Sequence, residues 1–581
     1  MNQTMSTRVL ITVGCLTALV AGCSSSYYTQ DADHEVYGIV ADKNAQALGS
    51  VRERFTVQPN PNVPALLDQA RQKPPAPPPE PAKVGAEAAQ PATLETSIPE
   101  NLPPPVPEPG PDAVRLTVAD ALRVAVGASR DYQTQKETVY LAALALTFQR
   151  YLFRPQPFAT GTVDYASDHD GANRVRSWDP GAEVGVSQAL ADGAVVAGSL
   201  GVTALKYLNR QLGDTVDSTL NFNLSQPLWR GAGRRIVQEN LFQTERNALY
   251  AIRTFARFEQ TFAVDVASKY LQVLQQRDTV LNSWESYLSL KRGRDRAEWL
   301  AKAELSAEFE VDQARQSELS AYNRWIVDRE NYVNAVDSFK IVLGIPVTTE
   351  IALEPAEFGR LSAAGLRQPD LLLPDATDKA LETRLDLANT REGLEDAGRR
   401  IRIAEDGLKG DVDLVASIGY ASRADHPQSA RIQLSRGDYA VGFDIDLPVD
   451  RLQERNALRE TQLAQQVATR ALERQRDDVI LAVRRAHRRL RQAHESYQIQ
   501  QRSVALAERR VESTQLLLQA GRAKQRDVLE AESDLLRARN SLTDALVTHT
   551  IAGLEFERDT GALLVDEEGQ IHGWILTDDG R

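Results

Sequence analysis

Between Pro448 and Gly553 the chain holds no proline and a single glycine, Gly521. From Val449 to Ala520 it is rich in Ala, Leu, Arg, Glu and Gln, all good helix formers. At 1.5 Å of rise per residue these roughly 70 residues would span ~100 Å, several times an ordinary globular helix. A helix of that length must cover its apolar stripe with other helices. Leu463, Val467, Val479, Val483, Ala486 and Leu490 recur at three- and four-residue steps, the spacing of a coiled-coil seam. Taken alone, the segment reads as a soluble antiparallel coiled coil. Just past Gly521, Asp527, Glu530 and Asp534 fall on one helical face.

Two other stretches change that reading. In "YAVGFDIDLPV" Val441, Phe443, Ile445 and Leu447 alternate with Gly442, Asp444 and Asp446; in "TLNFNLSQPLW" Leu220, Phe222 and Leu224 alternate with Asn221, Asn223 and Ser225. Strands apolar on one side and strongly polar on the other fit a sandwich surface, or a barrel with lipid outside and water inside. In a bilayer such strands cannot keep open edges, so they must close into a barrel. Tyr165, Trp229, Tyr420 and Tyr439 flank these segments, where interfacial aromatics would sit.

The body reads as an internal duplication. Each half opens with an amphipathic helical segment, from Thr117 or Asp375, then passes through alternating segments that close at Pro227 or Pro448. A long helix follows, running to a break near Ala303 or Gly521, and a return helix ends at Gly344 or Gly561. Ala303–Ala314 and Ala520–Ala531 align without gaps at an offset of 217 residues, which also carries Gly344 onto Gly561. From proline to break the first half is four residues longer (227 to 303 against 448 to 520), about one helical turn. The first half also has a further alternating pair around Asp192–Gly193, which fits either a long extracellular hairpin or extra strands in a wider barrel.

The opening "MNQTMSTRVLITVGCLTALVAGCSSS" has the basic start, apolar middle and small-residue end of a secretory signal. Its "LVAGC" resembles the lipobox of bacterial lipoproteins. That likeness implies a lipidated Cys23 as first mature residue, with Ser24 in place of the aspartate that retains lipoproteins at the inner membrane. Cys15 lies in the signal, so the mature chain keeps one cysteine and no internal disulfide. One lipid group anchors weakly, so a second membrane attachment is expected. From there to Asp112 the sequence is polar and then Pro-rich, and reads as an extended, mostly disordered tether. Outside the N-terminus no run of about 18 apolar residues suggests a spanning helix. The formal charge of −13 argues against a nucleic-acid partner.

The lipobox, the duplicated helix–strand–strand–long-helix–helix unit and the "AGRAxxRDVLEA" element together resemble the TolC-like outer-membrane factor family, over about Leu116 to Val565. That resemblance implies a homotrimer in outer-membrane lipid. Each copy would give four strands to one shared barrel and its helices to a long periplasmic tunnel. The tunnel would dock a periplasmic adaptor and an inner-membrane pump. The fold class expected is mainly α with a membrane β-barrel: a long antiparallel coiled-coil α-barrel plus a trimeric shared transmembrane β-barrel, internally duplicated. The family's constricting tip motif matches Gly521, Asp527, Val528 and Leu529, with Glu530 in place of its second aspartate. Asp527 and Glu530 are therefore the expected channel gate; Asp534 stays unassigned. The alternative is a solvated acidic face paired with Lys524, Arg526 or Arg537. The expected adaptor-contacting tips are Ala303, Glu304 and Leu305, and Ala520, Gly521 and Arg522. Leu518 and Ala523 stand where the family has its latching tyrosine and arginine, so that latch is absent or rebuilt, around Arg522 for example.

No catalytic machinery is legible. "GAGRR" at 231–235 lacks the GK[ST] of a phosphate loop, and no HExxH or nucleophile elbow occurs. His487 and His494 share a helix without a supporting ligand set, so neither metal nor cofactor is expected, apart from the covalent lipid. The expected organisation is signal peptide 1–22, lipid-anchored tether 23–112, first repeat 113–346, linker 347–374, second repeat 375–565 and tail 566–581. The expected function is a passive, gated exit duct for small molecules or ions in a tripartite efflux or secretion system. The other reading is a non-conducting periplasmic coiled-coil scaffold or adaptor lipoprotein.

Overall fold

The computed structural model describes residues 25–49, 55–58, 63–72, 105–107, 110, 113–170, 173–208, 215–304, 307–364, 366, 372–422 and 432–574. The signal segment, Cys23, Leu305 and most of the Pro-rich stretch lie outside the described residues. In chain order the elements are α1 (Ser25–Leu48), α2 (Val63–Gln72), β1 (Val114–Leu116), α3 (Val118–Ala128), α4 (Arg130–Tyr151), β2 (Gln156–Asp170), β3 (Asn173–Ala189), β4 (Val195–Tyr207), β5 (Thr215–Pro227) and α5 (Arg234–Val237). There follow α6 (Glu239–Lys302), α7 (Glu308–Leu343), β6 (Ile351–Leu353), α8 (Ala356–Ala364), α9 (Leu373–Thr383), α10 (Leu385–Gly407), β7 (Asp411–Ser422), β8 (Ile432–Asp446), α11 (Leu452–Gln519) and α12 (Gln525–Asp559). The fold is mainly helical, as the sequence implies. Among the described residues no helix is long and apolar enough to cross a membrane.

The chain forms two compact units. One comprises Met1–Phe55, Thr138–Arg253 and Asn389–Glu473, the other Thr56–Glu137, Thr254–Ala388 and Arg474–Arg581. The first unit holds an antiparallel six-stranded sheet in the order β2-β3-β4-β5-β7-β8. Beside it, the early turns of α6 and most of α10 are joined by half-buried charges. Arg246 meets Asp396 at 2.8 Å, Arg253 meets Glu392 at 2.7 Å, and Arg399 meets Glu239 at 2.8 Å. Cutting one partner from such a network costs more than an exposed pair would, because the other charge is left poorly solvated.

The same unit contains the first departure from the sequence reading. Residues 25–48, expected to be part of an extended tether, form the 24-residue helix α1. Val36, Ile39 and Val40 recur at helical spacing and are buried. The Tyr140 hydroxyl donates to the Asp33 carboxylate at 2.9 Å, and Arg154 pairs with Glu35 at 3.4 Å. A sparse apolar stripe thus becomes helical because another element covers it.

In the second unit the opening segment of each half is two helices, not one. The first breaks at Ser129, between α3 and α4, and the second at Arg384, between α9 and α10; both breaking residues are extended. Each break receives the end of a return helix. Gly344 (φ 76°), which caps α7, lies so close to Ala128 that an added Cβ would sit 2.2 Å from its carbonyl oxygen. Gly561 (φ 70°), just past α12, would bring a Cβ to 2.5 Å from the Thr383 side-chain hydroxyl. Only glycine tolerates both the left-handed backbone and the contact. The starts of α7 and α12, Glu308 and Gln525, are 217 residues apart.

The four additional residues of the first half are not in its long helix: α6 has 64 residues and α11 has 68. They fall in the connection after Pro227, which contains α5. The stretch expected to be a linker also carries structure: β6 pairs in parallel with β1. Glu357 of α8, fully buried, accepts the Val118 N–H at 3.1 Å and so caps α3. Burial pushes that carboxyl up to about 7. The tail is packed as far as described, with Ile571 bridged to Val565 and both Ile571 and Trp574 buried.

Candidate channel site: a two-faced sheet and the helical tips

Cross-strand partners in an antiparallel sheet share a face, so the register sorts the sheet's side chains. Tyr439, Val441, Phe443 and Ile445 of β8 face the same way as Ile418, Ala416, Leu414 and Val412 of β7. The set continues through Phe222 and Leu220 of β5, then Leu200 and Val202 of β4. It proceeds to Val184 and Val186 of β3 and ends with Ala159, Val163 and Tyr165 of β2. These side chains are not covered: Val441 is 76% exposed, Val184 51% and Leu200 40%. Trp178, Tyr165, Tyr420 and Tyr439 lie towards the ends of the strands remote from the helices, with Lys206 beside Trp178.

The opposite face has the reverse chemistry. It carries Asp164, Asp179, Glu183, Asp217, Asp411, Asp413, Asp438, Asp444 and Asp446. Between these stand Thr160, Thr162, Ser199, Thr203, Asn221, Asn223 and Ser417. Among the strand residues whose side chains are described, this face has no lysine or arginine. Asp411 opposes Asp446 and Asp413 opposes Asp444 in the β7–β8 ladder. Only from outside the strands does a cation reach them, Arg230 to Asp411 at 3.3 Å.

In the second unit, Gly521 (φ 67°) ends α11 in a left-handed turn. Its N–H donates to Leu518 and that of Arg522 to Leu517, which satisfies the last carbonyls of the helix. Asp527 lies in the first turn of α12 and accepts the Lys524 backbone N–H at 3.0 Å, which caps the start of the helix. Glu530 and Asp534, one turn apart, both meet Arg510 of α11, at 3.3 and 2.5 Å; Asp534 also pairs with Arg537. The structure thus separates the three acids: Asp527 is spent on the helix start, whereas Glu530 and Asp534 share a cation across the hairpin. Neither Arg510 nor the capping role was read from the sequence. The offset of 20 to 24 residues across a turn carries no local pattern.

At the other tip Glu304 adopts φ 58°, a left-handed residue that is not glycine. Ala303 donates to Trp299 and Glu304 to Ala301. Just behind, Ala297, Val311 and Ala314 form a small core between α6 and α7. Leu529 of α12 joins Tyr287, Leu290 and Ala321, so α12 packs on the first hairpin. Of the seam positions, Val479, Val483, Ala486 and Leu490 are buried, but Leu463 and Val467 are exposed. His487 and His494 do not meet each other. His487 lies beside Phe556 and His494 beside His549, 5.8 Å between rings. Burial, and then His494, lower His549 to about 4. Among the described residues no group of three or more potential metal ligands forms.

The chain thus contains both an amphipathic antiparallel sheet and long paired helices. Residues 376–555 match the family model described as outer membrane efflux protein. Solved structures similar to the chain include the outer-membrane channel OprN (TM-score 0.58, 14% identity, covering 77% of this chain and 90% of that one). CusC, solved in states that bear on folding and transmembrane channel formation, is similar at TM-score 0.57 and 16% identity, over 79% of this chain and 97% of that one. The Campylobacter jejuni CmeC outer membrane channel is similar at TM-score 0.57 and 14% identity, over 77% of this chain and 85% of that one. No curated protein matches the sequence. The chain carries an outer membrane efflux protein domain on a TolC-like fold. The matched family is one of transport proteins, not enzymes.

Proposed function

We propose that this protein is the outer-membrane exit duct of a tripartite efflux or secretion system. The observation that carries the reading is the two-faced sheet, apolar and uncovered on one side and rich in carboxylates on the other. Such a sheet fits lipid outside and a watery lumen inside. Three copies close the barrel and surround a helical tunnel. The exposed Leu463 and Val467 of α11 support neighbouring copies there. The matched ends of the two halves support an internal duplication.

Lipid on Cys23 adds a second attachment to the outer membrane. The tips at 303–305 and 520–522 meet the periplasmic adaptor, and the inner-membrane pump supplies the energy. Asp527 and Glu530 form the gate: while Asp527 also caps α12 and Glu530 also meets Arg510, in three copies they place six carboxylates around the mouth, attracting cations and repelling anions. Planar-bilayer recording of purified trimers tests this. Asp527→Asn with Glu530→Gln keeps side-chain size and is expected to raise conductance and weaken blockade by divalent cations. Unchanged values would remove these acids from the gate. A detergent-free, water-soluble protein after Cys23→Ala, without conductance, would return the molecule to the scaffold reading.

A further inference from the structure

We propose that the β3–β4 hairpin is part of the membrane wall, so that each copy contributes six strands and pairs with a second copy of this chain through its β2 and β8 edges. The inference rests on the exit-duct reading. Six strands per copy in three copies give a wall of about 18 strands, within the range of outer-membrane barrels.

The register carries the first argument. β3 pairs with β2 from Asn173 to Ser187, and β4 pairs with β5 from Val195 to Leu205, neither with a bulge. Val184 and Leu200 stand opposite each other on the sheet's apolar face, while Glu183 and Ser199 are on the carboxylate face. A hairpin projecting into water on both sides has no use for one uncovered apolar side. At 17 and 13 residues, β3 and β4 exceed the 9–11 residues a tilted strand needs to cross the hydrocarbon.

The turn between them gives a second, independent argument. It closes at the helix-proximal end, where Leu190 N–H donates to Ala194 at 2.7 Å. Gly193 (φ 102°) is wedged against Pro227, Val237 and the Gly231 carbonyl, and Gly233 N–H donates to Asp192. This is the connection in which the first half has its four additional residues. The two additions to the first half thus fit each other. A short turn seated on the strand-to-helix connection is what a wall strand requires at its periplasmic end.

Parity and size complete the case. With an even number of strands β2 and β8 run antiparallel, so the outer edges of neighbouring copies pair as ordinary antiparallel neighbours. Six strands cannot enclose a lumen alone, since about eight leave room only for packed side chains. Barrel diameter grows with strand number, so the outer mouth is wider than four strands per copy would make it and admits bulkier cargo.

The test uses the full lipidated chain, reconstituted in phospholipid vesicles, with single cysteines labelled by a fluorophore at V184C, L200C, E183C, S199C and, as reference, V441C. Quenching by lipid-attached nitroxide is expected to be alike at V184C, L200C and V441C, and at least several-fold stronger there than at E183C or S199C. Iodide in the aqueous phase should reverse the order. If V184C and L200C are quenched by iodide while V441C stays lipid-facing, the hairpin is extracellular and the inference fails alone. If V441C is also quenched only by iodide, the exit-duct reading falls with it. Retention of the heat-modifiable trimer on gels confirms that each variant is folded.

Discussion

The two helical hairpins of the second unit have the same plan but are fastened differently. α6 and α7 are locked by aromatic rings, in which Trp284 lies 4.8 Å from Trp325 and Tyr287 lies 5.2 Å from Tyr322. Trp325 is fully buried, and its indole N–H donates to the Pro105 carbonyl at 3.0 Å. Arg294 adds a half-buried bond to Glu318 at 3.1 Å. Near its tip the α11–α12 hairpin relies on exposed ion pairs, Arg510 with Glu530 and Asp534, and Arg539 with Glu508. Exposed pairs are worth about 0–1 kcal/mol and are screened by salt, whereas each aromatic pair adds about 0.5–1.5 kcal/mol beyond its burial. Moving elements are drawn from the less stable parts of a structure. The second hairpin is therefore expected to yield before the first, which would act as its frame.

The largest expected effect is on the frame. Trp325→Ala empties a buried site and should cost about 3–5 kcal/mol, read as a lower Tm by circular dichroism. A variant as stable as the parent would break the comparison.

Next comes pH. His549 sits lowered to about 4, below its usual 6.5, so the unfolded chain takes up its proton first. Its contribution is full above pH 6.5 and is lost as pH falls towards 4. Glu357, raised from 4.5 to about 7, acts in the opposite sense, with stability greatest below 4.5 and lost as pH rises through 7. Between about 4.5 and 6.5 the two oppose each other. His549→Gln should therefore leave a melting temperature that falls with rising pH across that window; an unaltered profile would remove His549 as its cause.

Smaller effects concern the tips. Glu304→Gly relieves a left-handed residue and is expected to stabilise by about 1 kcal/mol, seen as a small rise in Tm. A fall would mean that the side chain holds the turn. Arg510→Gln should cost less than ~1 kcal/mol of stability yet raise the open probability in bilayers. If it lowers Tm as much as the Trp325 change, the second hairpin is no looser than the first.

Much of this was legible because it is periodic or punctuated. The long helix expected from Val449 to Ala520 runs from Leu452 to Gln519, and Pro227 and Gly344 end elements where they were expected to. What escaped depends on tertiary contact. The break at Arg384 has no glycine or proline to mark it, and the glycine near the other, Gly127, lies within the last turn of α3 rather than at Ser129. α1 has few apolar residues and folds against a partner that lies more than a hundred residues away in sequence. Within the candidate site, the acidic face after Gly521 was plain in the sequence, but its division was not. A carboxylate that caps a helix looks the same in sequence as one that faces a lumen.

One further consequence follows from α1. It begins at Ser25, two residues beyond the cysteine proposed to carry lipid, and it is fastened to its unit through Tyr140 and Arg154. A lipid on Cys23 would therefore be on almost no leash. An anchor with slack samples many orientations and resists little torque; one bolted to a packed helix transmits force directly. With three such anchors on one assembly, escape from the bilayer would require all to let go together, and weak individual grips would add up to strong collective hold. The pull of a pump working from the opposite membrane would be borne by the lipids and the barrel as one foundation.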